Sequence, residues 1–231
     1  GAATAFFGIP MLTLLPVFYA HGGFGGQSAG AAQARFLNDV AGFAELVDRA
    51  GTKLAPDGVI GIAPHSLRAV TPEELRALLP VADGGPVHIH IAEQVKEVAD
   101  CVAWSGKRPV RWLLDEMPVD ARWTLVHATH VEPDEVAGIV ASGAVAGLCP
   151  ITEANLGDGV FPAAGFMALG GMIGLGSDSN VRIDAAEELR LLEYGQRLTR
   201  RARNVLAGED RPAWGARMVA AAVAGAGRAL R

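Results

Sequence analysis

The stretch Val87-His88-Ile89-His90-Ile91-Ala92-Glu93 decides how the chain is read. Aliphatic residues alternate with two histidines, then an alanine and a glutamate close the run. β-Branched residues favour a strand. The period of two puts His88 and His90 on the same face. His90 and Glu93 fall at the C-terminal end of that strand, where parallel α/β folds build their sites.

Working outward, the same grammar repeats. Met11–Val17 and Val59–Ala63 precede this strand, and Trp123–His127, Ala144–Leu148 and Met172–Gly176 follow it as further strands. Between them lie helical patterns. Ala31–Ala50 places Phe36, Val40, Phe43 and Val47 on one face, with Gly51 as the expected C-cap. Thr71-Pro72-Glu73-Glu74 carries a capping box with Pro at the first helical position. Glu93–Glu116, Pro133–Ser142, Asp184–Ala207 and Arg211–Leu230 supply the rest, and the Gly-rich His21–Gly30 reads as a loop.

Six strands alternating with helices predict a parallel sheet in an α/β fold. No Gly-x-Gly-x-x-Gly follows any strand, which argues against a dinucleotide-binding sheet. A closed barrel has eight strands, so six of eight are expected here. No linker or internal repeat divides the chain, and residues 1–231 are expected to form one barrel domain.

Composition agrees. Of 231 residues half are hydrophobic and 19% charged, which suits strands buried on both faces. The net charge of -5 excludes the basic footprint that nucleic acid requires. Arg200, Arg201 and Arg203 form the one basic cluster and read as a solvated helix face. Cys101 and Cys149 are too few for a disulfide framework, so a reducing compartment, the cytoplasm, is expected. Pro10 and Pro16 break the apolar opening residues, so neither a signal peptide nor a membrane span is expected there.

Five of the six histidines follow strands at their C-terminal ends. His90 suits a metal ligand, and Glu93 a carboxylate that takes a proton from metal-activated water. His88 reads as a deeper, hydrogen-bonded core residue. His127, ending its strand, suits either electrostatic stabilisation of the attacked group or a structural hydrogen bond. His130 reads as a loop residue. Asp178, in Gly174-Leu175-Gly176-Ser177-Asp178, suits a metal ligand or a turn aspartate, and its glycines allow close backbone approach. His65 and Arg68 share one turn and form a cationic pair suited to a carboxylate. Cys149 before Pro150 reads as a buried structural thiol rather than a nucleophile.

This constellation resembles the amidohydrolase superfamily. Leu14-Leu15-Pro16-Val17-Phe18-Tyr19, Ala63-Pro64-His65-Ser66-Leu67-Arg68, His88-Ile89-His90-Ile91-Ala92-Glu93-Gln94 and Cys149-Pro150-Ile151-Thr152-Glu153-Ala154-Asn155-Leu156-Gly157-Asp158-Gly159 are similar to the family of N-formimino-L-glutamate deiminases within it. The resemblance runs along nearly the whole chain. It implies a (β/α)8 barrel and a zinc-dependent hydrolase of histidine breakdown that releases ammonia from an acidic amidine. It also implies a metal on His90 and Asp178, proton relay by Glu93, stabilisation of the attacking oxygen by His127, a proton taken up by Asp178, and a substrate carboxylate on His65 and Arg68. The partner it implies is a small acidic substrate rather than nucleic acid or membrane, with a homodimer as an open option. A deaminase of the same superfamily acting on a nucleobase is the alternative, and a catalytically dead chain with a binding role is a third reading. One feature departs from the resemblance. The His-x-His pair of the first barrel strand is missing, as is the small β-domain, so the chain is expected to cover roughly strands three to eight.

Overall fold

The computed structural model describes residues 12–208 and 213–231. Met11, the opening apolar residues and the first residues of the last expected helix, Arg211 and Pro212, lie outside them. The chain divides into two compact units, residues 1–89 with 230–231, and residues 90–229.

In the first unit, β1 (Thr13–Leu14) pairs in parallel with β3 (Val59–Ile60), and β2 (Val17–Phe18) with β4 (Ala63–Pro64). Each of the two expected strands is therefore broken in the middle. One set of bonds runs through without a gap: the N–H groups of Val59, Gly61, Ala63 and His65 donate to the carbonyls of Leu12, Leu14, Pro16 and Phe18. The return set fails at Pro16, which has no N–H to give. Ile62 then bridges to Val87 at the start of β5 (Val87–Ile91). The first long helical pattern is also split. A 3-10 turn covers Ala31–Phe36, and the α-helix proper, α1 (Val40–Gly51), starts where Asp39 accepts from Gly42 N–H. Phe43 and Val47 are buried as expected, but Phe36 is half exposed because it lies beyond the break. Gly51 is the last helical residue, and the cap is Thr52 in ordinary right-handed conformation.

Helix α2 (Pro72–Leu78) begins with the expected capping box: Glu74 N–H donates to Thr71 Oγ1, and Thr71 N–H to Glu74 Oε2. The same carboxylate holds His21 Nε2 at 2.9 Å, tying the Gly-rich loop to this helix. His21 is thus structural.

The sheet order is β5-β6-β7-β8, with β6 (Trp123–His127), β7 (Val145–Leu148) and β8 (Met172–Leu175) in the second unit. β6, β7 and β8 are parallel and in continuous register. Trp123, Leu125, Val145, Ala146 and Leu148 are fully buried, the burial that a helix-covered parallel sheet demands. The crossovers are helical, α3 (Val95–Ser105), α4 (Pro109–Glu116), α5 (Pro133–Ser142), α6 (Pro150–Leu156) and α7 (Ala163–Ala168), and α8 (Ala185–Arg200) and α9 (Trp214–Ala229) follow β8. The sequence reading missed α6 and α7, which are too short to show periodicity. Pro opens α4, α5 and α6, where its missing N–H costs nothing.

Close backbone approach does occur, and the backbone approached includes that of Gly174. A Cβ on Gly174 or Gly176 would meet only ordinary contacts. A Cβ on Gly225 of α9 would stand 1.8 Å from the Ile173 carbonyl oxygen, so α9 lies directly on the backbone of β8. Among the described residues, no helix is long and apolar enough to cross a membrane.

Candidate active site

Strand β5 alternates as the sequence implied. Val87, Ile89 and Ile91 are buried, and His88 and His90 are the half-buried positions between them. Just beyond, the backbone turns sharply. Ala92 has a φ of +50°, and at the end of β6 His127 and Ala128 have +67° and +47°. Asp178, after β8, has +41°. Left-handed conformations of non-glycine residues cost of order 1–3 kcal/mol each and persist only where the surroundings enforce them. Here they mark the strand ends that carry the polar residues. The strain redirects the chain: Ala128 N–H donates to Ile91 O, and His130 N–H to Ala92 O, locking the two strand ends together.

The result is a cluster in the second unit. One ligand atom from each of His90, His127 and Asp178 lies within 4.8 Å of the others. The His90 and His127 rings stack with centroids 5.5 Å apart. His127 Nε2 lies 3.7 Å from Glu93 Oε1 and 3.9 Å from Asp178 Oδ2. His127 is buried, while the Glu93 and Asp178 side chains keep some access to solvent. An imidazole and a carboxylate, His90 and Asp178, which the sequence assigned to the metal, are donors of the kind a catalytic zinc takes. A ring nitrogen of His127 lies within 4.8 Å of both, placed to face an oxygen held between them.

Asp178 is held by the turn Ser177–Asn180, in which Asn180 N–H donates to Ser177 O. The N-cap of α8 is Asp184, so Asp178 is free of that duty. His127 has a partner that the sequence did not reveal. Its Nδ1 lies 3.2 Å from Glu153 Oε1, in the first turn of α6. The same oxygen accepts from Cys149 N–H. Burial acts to lower the basicity of His127, but Glu153, Glu93 and Asp178 outweigh it and the imidazole pKa is raised. Glu97 is a second buried carboxylate missed in the sequence, accepting from the N–H groups of Ala92 and Glu93. The only signal for either was an acidic residue in the first turn of a helix that follows a strand.

The remaining expectations resolve simply. Cys149 is buried, and burial with the surrounding carboxylates pushes its thiol far up, which disqualifies it as a nucleophile. His130 is a loop residue whose carbonyl accepts from Arg108. His65 and Arg68 belong to the first unit. His65 follows β4, pairs with Ser66 Oγ through Nδ1, and meets the Tyr19 ring edge-on at 4.8 Å. With Val17, Tyr19, Gln33 and Phe36 it lines a cavity of about 430 Å³. Arg68 is half-buried and has no ion pair with any carboxylate among the described residues.

Comparison with known proteins gives this arrangement a context. The formimidoylglutamate deiminase of Pseudomonas aeruginosa is 56% identical over 95% of this chain, and the match covers 49% of that protein. A crystal structure described as an amidohydrolase from Brucella melitensis superposes with a TM-score of 0.95 at 55% identity, covering 99% of this chain and 51% of that one. A second, described as an adenosine deaminase from Xanthomonas campestris with bound zinc, has a TM-score of 0.77 at 26% identity, covering 99% and 49%. The chain therefore spans about half the length of the proteins it matches. The expected α/β fold of parallel strands agrees with these neighbours. The profile of the amidohydrolase family matches residues 25–212, and with it the chain belongs to the amidohydrolase family.

Proposed function

We propose that the protein carrying this chain hydrolyses N-formimino-L-glutamate to N-formyl-L-glutamate and ammonia, using a zinc ion held by His90 and Asp178. One observation carries the reading. Metal-binding donors and a proton-transfer carboxylate meet at one spot, with Glu93 Oε1 3.7 Å and Asp178 Oδ2 3.9 Å from His127 Nε2. The likeness to a deiminase 56% identical over 95% of this chain supports the substrate.

A bound cation would supply a water polarised enough to attack near neutral pH. The remaining work falls to the side chains. Glu93 takes a proton from the attacking water and delivers it to the terminal nitrogen of the formimino group. The water oxygen adds to the formimino carbon. Asp178 takes the second water proton as the carbonyl forms, and the bond to the terminal nitrogen breaks. Both water protons end on the departing nitrogen, which leaves as ammonia. His127, oriented by Glu153, presents Nε2 to the attacking oxygen. The sequence resemblance assigns a substrate carboxylate to His65 and Arg68. The half-buried Arg68 guanidinium, without a carboxylate partner among the described residues, suits an anionic ligand and argues against a neutral nucleobase. Two buried, unbridged cysteines suit a reducing cytoplasm.

The test is ammonia release from N-formimino-L-glutamate with and without a chelator. Fast release that the chelator abolishes is expected. No release from folded, zinc-loaded protein would discard this substrate.

A further inference from the structure

We propose that Glu97 is the positioning residue for Glu93, setting where the acid–base carboxylate starts from by clamping the backbone that carries it. The inference rests on the reading of Glu93 given above.

Glu97 occupies the third position of α3. Glutamates at that position of α2 and α5 behave in the ordinary way. Glu74 and Glu135 each accept from the N–H of their own N-cap residue, Thr71 and Glu132, at 2.8 Å. Glu97 reaches beyond its N-cap, Gln94, to the two residues before it. Its Oε1 accepts from Ala92 N–H and its Oε2 from Glu93 N–H, each at 3.0 Å. Both oxygens are used, so only an ionised carboxylate satisfies both donors. Glu97 is 2% exposed, and in that setting these charge-assisted bonds are strong.

The clamped segment needs holding. Ala92 sits at a φ of +50°, a conformation that alanine does not favour. From the other side, the carbonyls of Ile91 and Ala92 accept from Ala128 and His130. The turn is thus fixed through its carbonyls by the end of β6 and through its N–H groups by Glu97. Glu93 leaves this turn with Oε1 3.7 Å from His127 Nε2. Releasing the two N–H groups frees the Glu93 backbone and removes no side chain of His90, His127 or Asp178. A misplacement of about 1 Å at a reacting group costs on the order of 10²-fold in rate.

The experiment uses the zinc-loaded protein and the substitution Glu97→Gln, which keeps the shape but offers a single acceptor. The expected result is a fall in kcat for N-formimino-L-glutamate of about 10²-fold, with KM and zinc content within about twofold of the unaltered protein. Placed on top of Glu93→Gln, the same substitution is expected to cost nothing further, because it acts through a group already removed. A merely structural role would not produce that pattern. Hydrogen exchange at the Ala92 and Glu93 amides gives a readout independent of turnover, with protection expected to fall by about tenfold or more in Glu97→Gln. If Glu97→Gln does not fold, Glu97→Asp, one methylene too short to reach both amides, is read by the same measurements. An unchanged kcat, a loss that multiplies fully onto Glu93→Gln, or unchanged exchange at the two amides overturns the proposal. Failure of the deiminase reading is distinguishable. The unaltered protein would then release no ammonia, and the exchange measurement alone would decide whether Glu97 holds the turn.

Discussion

The Nδ1–H of His127 points at Glu153 Oε1 across 3.2 Å, and that oxygen also accepts from Cys149 N–H. An oxygen already accepting from an amide is not the one carrying a proton, so Nδ1 is the donor. The proton on Nδ1 fixes the ring so that Nε2 faces Glu93 and Asp178. Partners that orient an imidazole in this way are worth about 10–100-fold in metal affinity or activity. Glu153→Ala is therefore expected to lower kcat by about that factor, and Glu153→Gln, which keeps an acceptor, to recover most of it. Equal rates for all three proteins would show that the pair does not govern His127.

Among the described residues Arg68 pairs with no carboxylate, so its loss leaves none of their buried carboxylates stranded. Arg68→Ala is expected to fold normally and to raise KM for the acidic substrate by about 10²-fold, the loss of one charge-assisted pair. Steady-state kinetics on Arg68→Ala and Arg68→Lys decide it. An unaltered KM removes Arg68 from the substrate site.

Gly225 is where α9 meets the β8 backbone, and an added methyl would overlap the Ile173 carbonyl. Overlap with backbone cannot be relieved by a rotamer change. Gly225→Ala is expected to destabilise the fold by roughly 3 kcal/mol or more, the upper range for overpacking. Gly227 of the same helix has open space at its Cβ, so Gly227→Ala is expected to be neutral or stabilising by about 0.5–1 kcal/mol. Urea unfolding of the two variants gives the contrast.

Burial pushes the Cys101 thiol up to about 11, the bond from Ser105 opposing it only in part. Cys149 is raised further. The thiolate is the reactive form, so neither cysteine is expected to react with a thiol reagent in the native protein at pH 8. Both are expected to react in denaturant. Peptide mass spectrometry after labelling checks each site, and native labelling of Cys149 would contradict its burial.

Local chemistry was legible where it is carried by neighbours in the chain. The alternation in Val87–Ile91 gave the strand and the shared face of His88 and His90, because side-chain direction in a strand has a period of two. Thr71, Pro72 and Glu74 gave the start of α2, because a capping box closes within four residues. His90, Glu93, His127 and Asp178 were recognisable because parallel strands deliver their C-terminal ends to a common side. The tertiary structure decided what depends on distant partners. Pro16 breaks a strand only because a neighbour needs its missing N–H. Gly225 is the residue whose missing Cβ permits the close approach to the Ile173–Gly174 backbone, because contact between α9 and β8 joins segments some fifty residues apart. Glu97 and Glu153 look like ordinary helix-start acids in sequence. Only folding brings their carboxylates against the turn after β5 and the ring of His127, where burial makes an unfilled hydrogen bond costly and a filled one directional.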